Sequence, residues 1–123
     1  MTRILHVLDH SLPAHSGYTF RTRAIMKAQA AKGWEVAGVT AVRHPLPGPA
    51  CEVVDGLTFH RTAPIATAPS PIREWREIGA LAARVEALAR EWRADLLHAH
   101  SPVLDGLAAL RAGRRLGIPV LYE

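Results

Sequence analysis

Residues 4 to 18, Ile4-Leu5-His6-Val7-Leu8-Asp9-His10-Ser11-Leu12-Pro13-Ala14-His15-Ser16-Gly17-Tyr18, constrain the fold more than any other stretch. An apolar run of strand length passes directly into a polar loop with one glycine, and helical spacing begins near Tyr18. Strand, polar loop and helix in that order open an α/β domain, in which backbone N–H groups at the helix start can face an anion. One glycine does not make a phosphate loop, because neither G-x-G-x-x-G nor G-x-x-x-x-G-K-[ST] occurs. The rest of the chain has to supply the confirmation.

It does so through the order of its elements. A helix is expected from about Tyr18 to Lys32, with Ala24, Ile25, Ala28 and Ala31 at helical spacing and Gly33 as its stop. Trp34 to Val42 reads as a strand apolar on both faces, as in a parallel sheet covered by helices. His44 to Ala50 carries three prolines and is a loop. Cys51 to Val54 and Leu57 to Arg61 flank Asp55-Gly56, the signature of a tight hairpin, expected at the sheet edge. After a Pro- and Ala-rich connection, Ser70 as cap and Pro71 as first helical residue start a long helix. Ile72, Trp75, Ile78, Leu81, Ala82, Val85, Leu88, Ala89 and Trp92 give it an apolar stripe that needs a sheet to lie on. Arg73 with Glu77 and Glu86 with Arg90 are exposed four-apart pairs. Ala94 to His100 is a short buried strand, Ser101-Pro102 repeats the cap-and-proline start, Val103 to Leu116 is a helix ended by Gly117, and Ile118 to Glu123 is a last strand. Right-handed crossovers arrange this order as an open, mainly parallel, Rossmann-like sheet with helices on both faces. The first strand and the one ending at His98 then lie side by side where the winding reverses, and ligands bind outside the strand ends at such a point. The loops from Asp9 to Gly17 and from His98 to Pro102 meet there.

Length and composition bound the function. The 123 residues suit one domain, and 49% hydrophobic with 21% charged residues is globular composition. No apolar run approaches a bilayer span, and His6 and Asp9 come too early for a secretory signal, so a cytoplasmic protein is expected. Cys51 is the lone cysteine, which fits a reducing compartment. The formal charge of +4 comes from scattered arginines, with Arg114-Arg115 the one adjacent pair. A nucleic-acid binder concentrates such charge in a stripe, so nucleic acid is not expected as a partner.

His98 and His100, two apart at a strand end, point to one face. A metal site is set aside, because acids or cysteines to complete a coordination shell are sparse nearby. His98 reads as a packing or strand-end residue. His100 precedes a helix N-terminus that favours neutral imidazole, and either holds a sugar hydroxyl or satisfies loop carbonyls. Arg21 and Arg23 oppose the dipole of their own helix, so either an anionic ligand or a pairing with Asp9 accounts for them. Ser16 and Gly17 allow close backbone approach, while Tyr18 and Phe20 are expected to pack. Asp9-His10-Ser11 holds triad residue types, but consecutive neighbours cannot form the triad geometry.

With these residues in place, the chain resembles the N-terminal half of a retaining glycosyltransferase of family 4, whose two Rossmann-like domains face each other across a cleft (the GT-B architecture). The likeness rests on the strand-loop-helix through Pro13, Ser16 and Gly17; on Gly33-Trp34-Glu35-Val36; on Glu52-Val53-Val54-Asp55-Gly56; on Asp95-Leu96-Leu97-His98-Ala99-His100-Ser101-Pro102; and on Gly117-Ile118-Pro119-Val120. More narrowly, His6 to Pro13 with His15 to Arg23 resembles exosortase-associated transferases of exopolysaccharide gene clusters. The resemblance implies His100 as the catalytic-site residue and His15, Ser16, Gly17 and Arg21 as the residues that meet donor phosphates or acceptor, with Asp9, Ser101 and Glu123 beside them. It further implies a nucleotide-sugar co-substrate, a saccharide or lipid-linked acceptor, and no metal or other cofactor. Many family members have two adjacent glycines where this chain has Ser16-Gly17. The donor pocket belongs to a C-terminal domain that does not follow Glu123, so the chain is expected to be a truncated domain, inactive in isolation. With a lipid-linked acceptor, Arg73, Arg76 and Arg84 would hold the domain on anionic lipid at the inner membrane face. The competing expectation is a stand-alone flavodoxin-like or response-regulator-like binding module without catalysis.

Overall fold

The central strand, β1 (Arg3–Leu8), is buried from Ile4 onward and pairs in parallel on both sides. The computed structural model describes residues 2–123. After β1 come α1 (Gly17–Ala31), β2 (Glu35–Thr40), β3 (Cys51–Val54), β4 (Leu57–Arg61), α2 (Ile72–Trp92), β5 (Leu96–Ala99), α3 (Val103–Leu116) and β6 (Val120–Tyr122). The sheet runs β3-β4-β2-β1-β5-β6, and only the β3–β4 pair is antiparallel. With β2 on one side of β1 and β5 on the other, the winding reverses at β1, where the sequence places it.

Alternation along the strands sorts side chains to two faces. Leu5 and Val7 join Val39, Leu97 and Ala99 beneath α2 and α3. Leu8 packs with Met26 of α1, Leu12, Leu57 and Phe59 on the other face. Fully buried Ala108, Ala109 and Ala112 make the inner face of α3 small. Asp55 (φ 53°) and Gly56 (φ 76°) both have positive φ, as the tight β3–β4 hairpin requires.

Three local expectations are corrected. β2 ends at Thr40 rather than Val42. Neither Ser70 nor Ser101 caps its helix; Pro71 and Pro102 occupy the boundary positions. The Ser70 hydroxyl donates to Glu74 Oε1 at 2.6 Å, a charge-assisted bond that outcompetes capping, and the Ser101 N–H donates to the Glu123 carbonyl at 2.9 Å, extending the ladder beside β6. Ile72 and Trp75, 49% and 70% exposed, overhang the sheet, so the buried stripe of α2 begins at Ile78.

Candidate active site

The loop after β1 is held from both ends. Ser16 is the N-cap of α1 and makes a capping box: its Oγ accepts the Thr19 N–H at 3.1 Å, and its own N–H reaches Thr19 Oγ1 at 3.0 Å. His10 bridges Asp9 Oδ2 (2.9 Å, through Nδ1) and Ser16 Oγ (3.0 Å, through Nε2) and stacks on Tyr18. The Asp9 N–H donates to the Tyr18 hydroxyl at 3.0 Å. Arg61, from the end of β4, donates to Ser11 Oγ (2.6 Å), the Leu12 carbonyl (2.8 Å) and Glu52 Oε1 (2.5 Å), anchoring the loop to the hairpin. The N–H groups of Gly17 and Tyr18, first in α1, have no protein acceptor among the described residues, as expected of a helix start.

Across the reversal point, β1 and β5 place His6 opposite His98, and His100 follows at the strand end. The three rings lie nearly parallel, at centroid distances of 4.6 Å (His6–His98), 5.2 Å (His6–His100) and 4.5 Å (His98–His100). His6 Nδ1 lies 2.9 Å from His100 Nε2, and His6 Nε2 lies 2.6 Å from Gln29 Oε1 of α1. His98 Nε2 lies 2.7 Å from Glu123 Oε1. Burial is the main force that lowers His6 to a pKa of about 3 and His100 to about 4, so both rings are neutral at pH 7. Nitrogens of the three rings come within 4.8 Å of one another, close enough to suggest a chelate. Their planes lie only 10–28° apart. His6 Nδ1 and His100 Nε2 point at each other and share a proton across 2.9 Å, so an ion bound there would have to displace that hydrogen bond.

The two halves of the crevice are joined. Tyr18 meets His100 edge-on at 6.5 Å between centroids, and Arg21 donates to Glu123 Oε2 at 2.8 Å. Arg21 therefore pairs with Glu123 and not with Asp9. Arg23 pairs with Asp55 of the hairpin, whose backbone carbonyl also accepts from Lys27 at 2.5 Å. Of the expected site residues, Asp9, Ser16, Arg21, His100 and Glu123 are linked in this way. Ser101 is tied to Glu123 through its backbone, while Gly17 and His15 are exposed, His15 lying against the ring of Phe20. Two placements differ from expectation. His100 is 0% exposed, its Nδ1 buried without a partner, because its ring packs on His98 and is hydrogen-bonded to His6. Phe20 is 51% exposed where packing was expected, since α1 turns it away from the sheet. Of the three arginines considered for lipid contact, Arg84 is half-buried and donates to the Arg61 carbonyl, and Arg73 faces Glu74 and Glu77.

His6, Gln29, Arg61 and Asp105 join the site without having been singled out. The sole sequence signal for His6 is its polarity inside an otherwise apolar strand, at a position that alternation puts on the same face as Ile4 and Leu8. Asp105, in the first turn of α3, has the look of a dipole-complementing acid but is 1% exposed with neither oxygen bonded; burial, with Asp9 nearby, pushes its pKa up to about 8.

The fold is similar to that of sucrose-phosphate synthase from Thermosynechococcus elongatus (TM-score 0.72, 17% identity, 99% of this chain and 32% of that one). It is similar also to the catalytic domain of starch synthase IV from Arabidopsis thaliana, bound to ADP and acarbose (0.71, 13%, 98% and 33%), and to MurG of Acinetobacter baumannii (0.66, 15%, 99% and 33%). The chain thus spans about a third of the length of these proteins. No curated protein matches it. The family model described as "Glycosyl transferase 4-like domain" matches residues 16–123, from the cap of α1 to the end of the chain, and the chain belongs to that family.

Proposed function

We propose that this domain is the acceptor-side half of a retaining glycosyltransferase that moves a sugar from a nucleotide-sugar donor to a saccharide or lipid-linked acceptor in exopolysaccharide or cell-envelope glycan synthesis. One observation carries the reading: in a glycosyl transferase 4-like domain, the free N–H groups of Gly17 and Tyr18, the guanidinium of Arg21 and the neutral His100 gather at the ends of β1 and β5, where the winding reverses. Donor phosphates are anionic, and helix-start N–H groups with an arginine are what such a group needs. A neutral imidazole can hold a sugar hydroxyl without adding charge. The His6–His100 hydrogen bond occupies nitrogens that an ion would need, which favours transfer without a metal at this cluster. A lipid-linked acceptor would bring the domain to the inner membrane face; no described helix is long and apolar enough to cross a membrane.

A donor-hydrolysis screen tests this. The full-length protein carrying this domain should consume one class of nucleotide sugar, and residues 1–123 alone should turn over none, because one wall of a cleft cannot position two substrates. Absence of turnover by the full-length protein with every donor, alongside tight ligand binding by the domain alone, would favour a non-catalytic binding module.

A further inference from the structure

Polar contacts on the α1 face of the sheet form one continuous chain: Glu123, His98, Gln29, His6, His100. We infer that Gln29 is a positioning residue whose amide sets the proton positions of three buried imidazoles, leaving His100 Nδ1 as a bare acceptor for a ligand hydroxyl. The inference takes only the identity of that hydroxyl from the transferase reading.

The direction of the chain follows from its end. The Glu123 carboxylate accepts and cannot donate, so His98 carries a proton on Nε2, 2.7 Å away, and the singly protonated ring has its lone pair at Nδ1. The Gln29 amide nitrogen, a donor only, stands 3.5 Å from that Nδ1. This turns the amide oxygen toward His6 Nε2 at 2.6 Å, so His6 donates there and its Nδ1 becomes an acceptor. The 2.9 Å contact to His100 is then filled by the His100 Nε2–H. His100 is left with a lone pair at Nδ1, which has no partner in a residue that is 0% exposed. Glu123 Oε1 lies 3.8 Å from it. Two acceptors that face each other across such a gap cannot bond directly. A ligand hydroxyl that enters beside Glu123 while its carboxylate keeps the His98 Nε2–H would donate its hydrogen to His100 Nδ1. The neutrality of His6 and His100 at pH 7 is consistent with this arrangement.

Histidine nitrogen NMR on the 123-residue chain at pH 7 reads the proton positions with no substrate present. In the wild type, His6, His98 and His100 should all carry the proton on Nε2 and show pyridine-type Nδ1 signals. A proton on Nδ1 of His6 or His100 would overturn the inference. Gln29→Leu removes the acceptor facing His6 and should reverse the relay, moving the protons of His6 and His100 to Nδ1, where His100 can donate to Glu123. Unchanged proton positions in that variant would also overturn it. Gln29→Glu keeps an acceptor facing His6 and should preserve Nε2 protonation of His6 and His100; together with the wild type it decides the matter should the leucine variant fail to fold. In the full-length protein, Gln29→Leu should lower kcat by up to about tenfold, the equivalent of one hydrogen bond, with donor KM unchanged. Proton positions as described in a protein that transfers no sugar would count against the transferase reading alone, whereas an unchanged kcat in an active enzyme would count against the role of Gln29.

Discussion

At the scale of single residues, the crevice separates what the fold needs from what a ligand would need. Gly17 is exposed, has no positive φ, and a Cβ there would meet nothing within 4 Å, so the fold does not require glycine. Gly17→Val should leave the melting temperature unchanged and raise donor KM in the full-length enzyme by obstructing the approach of phosphate. Arg21→Ala removes an exposed ion pair worth ~0–1 kcal/mol and relieves a cation at the wrong end of a helix dipole by ~0.3–1 kcal/mol. These nearly cancel, so stability should stay within about 1 kcal/mol while use of the anionic donor weakens. His100→Ala behaves differently, because it empties a fully buried position that stacks on His98 and hydrogen-bonds His6. It should lower the melting temperature and also reduce turnover per folded molecule on the order of 10–100-fold. Wild-type kinetics per folded molecule in all three variants would sink the crevice assignment.

At the scale of elements, the sequence was informative wherever the deciding interactions were local. Asp55-Gly56 specified its hairpin, Gly117 its helix end in the left-handed region, and two-sided apolar strands the parallel sheet. It was silent where partners are distant in the chain. Arg21 meets Glu123 across 102 positions and His6 meets His100 across 94, so neither spacing nor propensity pairs them, and local reading offers Arg21 only a ligand or Asp9. The same distinction governs two glycines on neighbouring helices. At Gly79 in α2 a Cβ would lie 4.0 Å from the flexible end of Arg111, so Gly79→Ala should stabilise the fold by up to about 1 kcal/mol through helix propensity. At Gly113 in α3 a Cβ would lie 2.6 Å from Val120 Cγ2 and 2.9 Å from the Ile118 carbonyl. That carbonyl is backbone and cannot give way, so Gly113→Ala should destabilise despite the same propensity gain. Chemical denaturation of the two variants decides it, and a Gly113→Ala variant as stable as the wild type or more so would show that β6 does not press on α3 as described.

At the scale of the whole molecule, the buried titratable groups that surround the crevice fix how stability depends on pH. His6 and His100 are held neutral, with pKa values depressed from 6.5 to about 3 and about 4. Their contribution is fully present above pH 6.5. Below it the unfolded chain binds protons that the folded chain refuses, and each group costs about 1.4 kcal/mol per pH unit until its own folded pKa is reached. Asp105 works in the opposite direction. Its folded pKa, raised from 3.8 to about 8 chiefly by burial and secondarily by Asp9, with Arg43 opposing, gives a contribution that is complete below pH 3.8 and is lost as pH rises toward 8. Between about pH 4 and 6.5 the two histidines outweigh the one aspartate, and stability climbs with pH. Above 6.5 the histidine effects are saturated and Asp105 alone acts, so stability should fall by about 2 kcal/mol between pH 6.5 and 8. A maximum near pH 6.5 is therefore expected in denaturant titrations. Asp105→Asn, which keeps the shape but cannot ionise, should abolish the alkaline decline and leave the acid limb in place. Stability that still rises through about pH 8 in the wild type, or an alkaline decline that survives in Asp105→Asn, would mean that the Asp105 carboxyl reaches solvent or a partner and is not the unpaired buried group that the fold places beside Asp9.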